Sequence, residues 1–143
     1  GKSIGAKTVY LICNEKPYLS VNADVLIKVI TGPEVITGST RMKAGTATKM
    51  VLNMISTATM VRLGKVYGNL MVDLMTVNDK LVDRGTRIIE KLTGVDYQLA
   101  RSKLFEADKS VKVAVVMIKK NCSQKEANKK LVENGGSLRK VIE

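Results

Sequence analysis

Two rhythms of apolar residues divide the chain. From Gly1 to Thr31 they come in short, β-branched runs: Thr8 to Cys13 (Thr-Val-Tyr-Leu-Ile-Cys) and Val25 to Thr31 (Val-Leu-Ile-Lys-Val-Ile-Thr). Runs this short, bounded by turn residues, predict buried strands. Asn14 to Ser20 supplies the turn, Pro17 bars continuation, and Gly32-Pro33 ends the second run. The stretch between the runs leaves no room for a full helix, so the strands are expected as neighbours at a sheet edge.

From Ser39 the period changes. Ala47, Met50, Val51, Met54, Ile55, Ala58 and Val61 recur at helical spacing, and Leu52 and Leu63 add a second apolar side. The expectation is a helix buried on more than one face, capped at Ser39 or Thr40 and ended by Gly64. Gly64 to Asn69 reads as a connecting turn. Leu70, Leu74, Val77, Leu81, Ile88 and Leu92 then suggest a second long helix beginning near Leu70, stopped by Gly94, with Gly85 marking a kink or a close helix contact. Asp96 caps a helix to Ala107, Asp108 or Ser110 starts one to Lys120, and Ser123-Gln124-Lys125-Glu126 is a capping box opening another. That helix ends at Gly135-Gly136, and Ser137 to Ile142 forms a last short helical turn. No strand is expected after Thr46. The fold class is therefore an α/β fragment, mostly α: a sheet edge (1–38), long helices (39–94) and a small helical end module (95–143).

The junction between the two rhythms carries the candidate chemistry. The run Gly32-Pro33-Glu34-Val35-Ile36-Thr37-Gly38-Ser39-Thr40-Arg41-Met42-Lys43-Ala44-Gly45-Thr46 gathers hydroxyls, one carboxylate and two cations at a helix start. Free N–H groups and partial positive charge there suit a small anion. Ser39 and Thr40 can contact a sugar hydroxyl or phosphate, or simply cap the helix. Arg41 offers five fixed donors and a permanent charge for a phosphate or sugar oxygen; its alternative is a structural pair with Glu34. Glu34 can act as a base only in an environment that tunes it, and a salt bridge or capping contact is the favoured reading. Lys43, two positions on, cannot share a helical face with Arg41 and reads as a supporting or exposed charge. Lys112 can reach a ligand, or snorkel to solvent, which is favoured.

Composition narrows the chemistry. The chain has 143 residues, no histidine and a net charge of +11. Without histidine there is no His triad or His metal site, and proton transfer would fall to Asp, Glu, Lys or Tyr. A basic surface attracts nucleic acid or phosphorylated ligands. Aromatic residues at 3% are too few for base-stacking platforms, which argues against nucleic acid. Cys13 and Cys122 form no metal or redox motif and read as reduced packing residues of a cytoplasmic protein. The Lys-rich stretch from Lys119 to Lys130 reads as a wet helix surface. No apolar run is long enough to span a bilayer, and nothing at Gly1 reads as a signal peptide.

The run Gly38 to Thr46 also resembles a family signature, that of the N-acetylmuramic acid 6-phosphate etherases, a version of which the glucokinase regulatory proteins share. The resemblance continues through Lys49 to Met54, Gly64 to Asp73 and Val115 to Met117. It covers essentially the whole chain and matches only the family's C-terminal half. It implies the edge of a sugar-isomerase-type phosphosugar-binding sheet, followed by a helical bundle and a three-helix end module. The implied activity is a lyase that cleaves the lactyl ether of N-acetylmuramic acid 6-phosphate without a cofactor, acting on a phosphorylated amino sugar as a homodimer. It implies that Arg41 faces the sugar phosphate, with Ser39, Thr40, Glu34, Lys43 and Lys112 as further candidates for substrate binding. The family's two proton-transfer glutamates lie in the earlier phosphosugar domain, and no residue here matches them. The alternative is a phosphosugar-sensing regulator.

Overall fold

The computed structural model describes residues 1–143, which divide into two compact units, Gly1–Thr57 and Ala58–Glu143. The boundary falls inside one helix.

The first unit opens with a short 3-10 turn, Lys2–Ile4, and two strands, β1 (Val9–Ile12) and β2 (Val25–Lys28). They pair in parallel with Val9 opposite Val25 and Ile12 opposite Lys28. The Asp24 carboxylate locks this register, accepting from Thr8 N at 2.7 Å and Thr8 Oγ1 at 2.8 Å. The chain then enters a π-helical turn, Arg41–Gly45, which leads into α1 (Thr46–Arg62). In that turn Gly45 N donates to Thr40 O at 2.8 Å, the five-residue spacing of a π-turn. Neither Ser39 nor Thr40 caps α1 through its side chain, contrary to the expectation, because the π-turn satisfies the backbone there instead.

Helix α1 also departs from its predicted burial. Val51 alone is buried on it, while Met50, Leu52, Met54 and Val61 are all exposed. Periodicity made it a helix, but within this unit no layer covers either apolar side.

The second unit begins with a correction. Val66–Tyr67 (β3) and Leu70–Met71 (β4) form an antiparallel hairpin, so strands do occur after Thr46. Gly68 takes a positive φ of 57° in its two-residue turn with Asn69, a pair suited to such turns. Consequently the second long helix starts not near Leu70 but at Asp79. There Asn78 accepts from Leu81 N at 3.0 Å and caps α2 (Asp79–Thr93). Leu70 and Leu74 still pack against the core, from extended and loop backbone. Gly85 marks a close contact: a Cβ there would lie 3.0 Å from Val111 Cγ2 and 3.2 Å from Thr76 Cγ2.

Four further helices follow the predicted pattern: α3 (Tyr97–Glu106), α4 (Val111–Lys120), α5 (Gln124–Glu133) and α6 (Leu138–Ile142). Asp96, Ser110 and Ser123 cap the first three, the last as a full capping box. Helix α4 is the centre: Val111 to Met117 are buried without a break, against Ile89, Leu104, Leu131 and Leu138 from the other helices. The lysines at 119, 120, 125, 129 and 130 are exposed, as the wet-surface reading expects. No helix is long and apolar enough to cross a membrane.

Candidate functional site

The parallel strands of the first unit run toward a small cavity of about 280 Å³. Cys13 and Asn14 follow β1, and Thr31 and Gly32 follow β2; all four line it, with Glu34, Thr40 and Ala44. This is the carboxyl end of a parallel sheet, the edge where open α/β sheets bind ligands.

Glu34 organises the turn that closes the cavity. Its Oε2 accepts from Lys43 N at 3.1 Å and its Oε1 from Ala44 N at 2.9 Å. Placing a carboxylate on N–H groups at the head of a helix satisfies donors that the helix itself leaves unpaired. The capping reading of Glu34 therefore holds, and the expected Arg41–Glu34 pair does not form. Two of the N–H donors that were candidates for a bound anion are likewise taken by Glu34. Lys43 is anchored too: its Nζ donates to Pro33 O at 2.7 Å.

These contacts leave Arg41 exposed, with no carboxylate within ion-pairing distance. Ser39 is half-buried, its N–H donating to Ile36 O at 2.9 Å. Thr40 reaches the cavity wall. Glu34, Thr40, Lys43 and Arg41 thus meet in one turn. Cys13 bridges β1 to that turn: its Sγ lies 3.7 Å from Ala44 O and 3.6 Å from Thr48 Oγ1.

Lys112 belongs to the second unit and does not snorkel to open solvent. It is buried, its Nζ donating to Gly136 O at 2.9 Å and lying 3.7 Å from Asp73 Oδ1. Asp73 also holds Lys65 at 3.1 Å. The ammonium is held because α4 is buried along most of its length and the nearest polar partners are these.

Sequence reading missed Cys13, Asn14 and Thr31 as cavity residues. The available signal was positional: they stand just beyond the ends of two runs now seen to be parallel strands.

Comparison with known proteins places this geometry. The chain is 53% identical over 141 residues to an N-acetylmuramic acid 6-phosphate etherase of Mycolicibacterium smegmatis, covering 99% of this chain and 47% of that protein. Etherases of Bacillus subtilis (142 residues) and Pseudothermotoga lettingae (143 residues) match equally, at 53% identity, with 99% and 47% coverage. Along its whole length the chain is therefore similar to part of the N-acetylmuramic acid 6-phosphate etherases. It spans about half the length of the curated relatives it matches. No family model matches it. In this etherase-like chain the signature run is a folded object: a π-turn stapled by Glu34 at the carboxyl end of a parallel strand pair.

Proposed function

We propose that this chain forms the C-terminal part of a lyase that removes D-lactate from N-acetylmuramic acid 6-phosphate. The observation that carries the reading is sequence identity near one half, across 99% of the chain, to proteins named for that etherase. In the proposed reaction a base takes the proton at sugar C2 and the lactyl oxygen leaves C3 with acid help. Water then adds, giving N-acetylglucosamine 6-phosphate. The chain's own contribution is binding. Arg41 meets the phosphate or a sugar oxygen, Ser39 and Thr40 offer hydroxyls beside it, and Glu34 and Lys43 fix the turn that presents them. Lys112, tied to Gly136 and Asp73, takes a positioning role in the second unit. No catalytic residue is assigned here, because Glu34 spends both oxygens on backbone N–H groups. The parent works as a homodimer in the cytoplasm, in amino sugar catabolism and peptidoglycan recycling.

The test is Arg41→Lys in the full-length parent. Lysine keeps the charge but lacks the planar fork that makes two parallel hydrogen bonds. Losing one charged hydrogen bond costs about 1.5–3 kcal/mol, or on the order of ten- to a hundredfold in kcat/KM. The expected result is that loss with little change in melting temperature, since Arg41 makes no ion pair. Unchanged kinetics would remove Arg41 from the binding site. The purified 143-residue chain is expected to release no D-lactate above a no-protein control.

A further inference from the structure

Helix α2 carries a feature that the etherase reading does not use. Lys80, Arg84, Arg87 and Lys91 are spaced i, i+4, i+7 and i+11. At 100° per residue these positions fall within about 60° of arc, a cationic strip about 16 Å long. The helix buries its opposite face, through Val82, Gly85, Thr86 and Ile89. The strip borders a cavity of about 660 Å³, within the usual size range for small-molecule sites. Its floor is apolar, from Leu70, Leu81 and Ile88, and Asn69 and Asn78 stand at its edge.

The strip is poorly explained as a solvated helix face. Neighbouring like charges at i, i+3 and i, i+4 destabilise a helix by a few tenths of a kcal/mol per pair, and three such pairs occur here. Lys80 sits in the first turn, where the helix dipole disfavours a cation. The one carboxylate in the cavity wall, Asp83, is already engaged: Arg87 Nε donates to Oδ2 at 2.9 Å and Tyr97 Oη to Oδ1 at 2.9 Å. Lys80, Arg84 and Lys91 have no ion-pair partner. Asp83 relieves the repulsion at Arg87, and a bound anion would relieve it at Arg84 and Lys91.

We propose that this cavity is a second ligand site, which takes a small phosphate monoester with a ring-sized body. Arg84 and Lys91 hold the phosphate, and Lys80 adds positive charge from the far end of the strip. The apolar floor receives a ring face, and the two asparagine amides serve its hydroxyls. A bare phosphate would leave the floor uncovered, and a long polyanion would leave the cavity empty. The site lies wholly in the second unit and stands independently of the etherase reading.

The experiment titrates the 143-residue chain with glucose 6-phosphate, glucose, inorganic phosphate and a single-stranded oligonucleotide. Amide shifts are followed by NMR. Glucose 6-phosphate is expected to shift Leu81, Arg84, Ile88 and Lys91 saturably, more tightly than phosphate, while glucose gives no shift. R84Q with K91Q is expected to weaken that binding about tenfold or more, since charged hydrogen bonds are removed. K119Q with K125Q removes the same charge on exposed surface elsewhere and should leave affinity unchanged. The helices of both variants are checked by circular dichroism; all four positions are exposed, so folding is expected to survive. Equal affinity in the first variant, no saturable shift with glucose 6-phosphate, or binding of the oligonucleotide alone would each overturn the proposal.

Discussion

The two units spend their apolar residues differently. In Ala58–Glu143, 17 hydrophobic residues are buried in one cluster drawn from every helix of that unit, with α4 at its centre. In Gly1–Thr57 the only buried hydrophobic residue is Val51. Yet the first unit is not polar: Val9, Val25 and Leu26 on the strands and Met50, Leu52 and Met54 on α1 are exposed. Parallel strands occur almost always with both faces covered, and two strands alone are marginal in water. The second unit therefore holds itself together by burial. The first has the surfaces of a layered fold without the layers, and the candidate binding turn sits on that half.

Core truncation should separate the units most sharply. Leu104 is fully buried between helices, so Leu104→Ala is expected to cost about 2–5 kcal/mol of unfolding free energy. Thermal denaturation followed by circular dichroism would show it. Val51→Ala removes an equally apolar group from α1, but there is no cluster around it to lose. Its expected effect on the main transition is under about 1 kcal/mol. Equal losses in the two variants would mean that the chain unfolds as one cooperative body.

The same contrast explains what could be read from the sequence. Helices α3, α4 and α5 were legible because each begins with a cap residue whose side chain accepts a backbone N–H. Local chemistry decided them. The β3–β4 hairpin was missed because Leu70, Leu74 and Val77 continue the helical spacing of Leu81 and Ile88. Leu70 and Leu74 supply core positions, but from extended and loop backbone, while Val77 is exposed, and the two-residue Gly68-Asn69 turn was the overlooked signal. Burial of α1 was misjudged for another reason: periodicity marks which side chains need cover, and the cover must come from elsewhere. At the site, Glu34 as a cap was legible from its place before a helix start. That its partners would be Lys43 N and Ala44 N rather than Arg41 depends on the π-turn, which no residue pattern announced.

If the first unit lacks its layers, copies of the chain should supply them for one another. Exposed apolar sheet and helix surfaces associate. Light scattering at micromolar concentrations is expected to give a mass above that of the 15.6 kDa monomer. Met50→Lys with Met54→Lys should shift the equilibrium toward monomer, since each buried Met contributes about 1.5–3 kcal/mol. A monomeric mass for the unaltered chain would show that α1 tolerates its exposure in water, and would count against the homodimer proposed above.

The smallest effect offers the finest comparison, because each unit contains one exposed carboxylate doing similar work. Glu126, at the head of α5, accepts from Ser123 N at 2.9 Å and from Ser123 Oγ at 2.8 Å, and the backbone bond first, then the hydroxyl, holds its pKa below the ordinary 4.5. Asp24, before β2, accepts from Thr8 N and Thr8 Oγ1 and is lowered from 3.8 for the same reasons in the same order. A lowered folded-state pKa means that the folded form binds the proton less readily than the unfolded form. The stabilisation is complete above the unfolded value and is lost as pH falls through the folded one. Acid should therefore loosen the α5 cap below about pH 4.5 and the strand register at lower pH still. Side-chain carboxyl titration by NMR reads both groups in one sample. Glu126 is expected to titrate low whatever the first unit does, because its partner is three residues away on a packed helix. Asp24 depends on a partner sixteen residues away and titrates low only while β1 and β2 stay paired. An ordinary value for Asp24 beside a lowered one for Glu126 would show that the strand pair opens in solution while the helical unit holds. Two lowered values would show that the register survives without a covering layer.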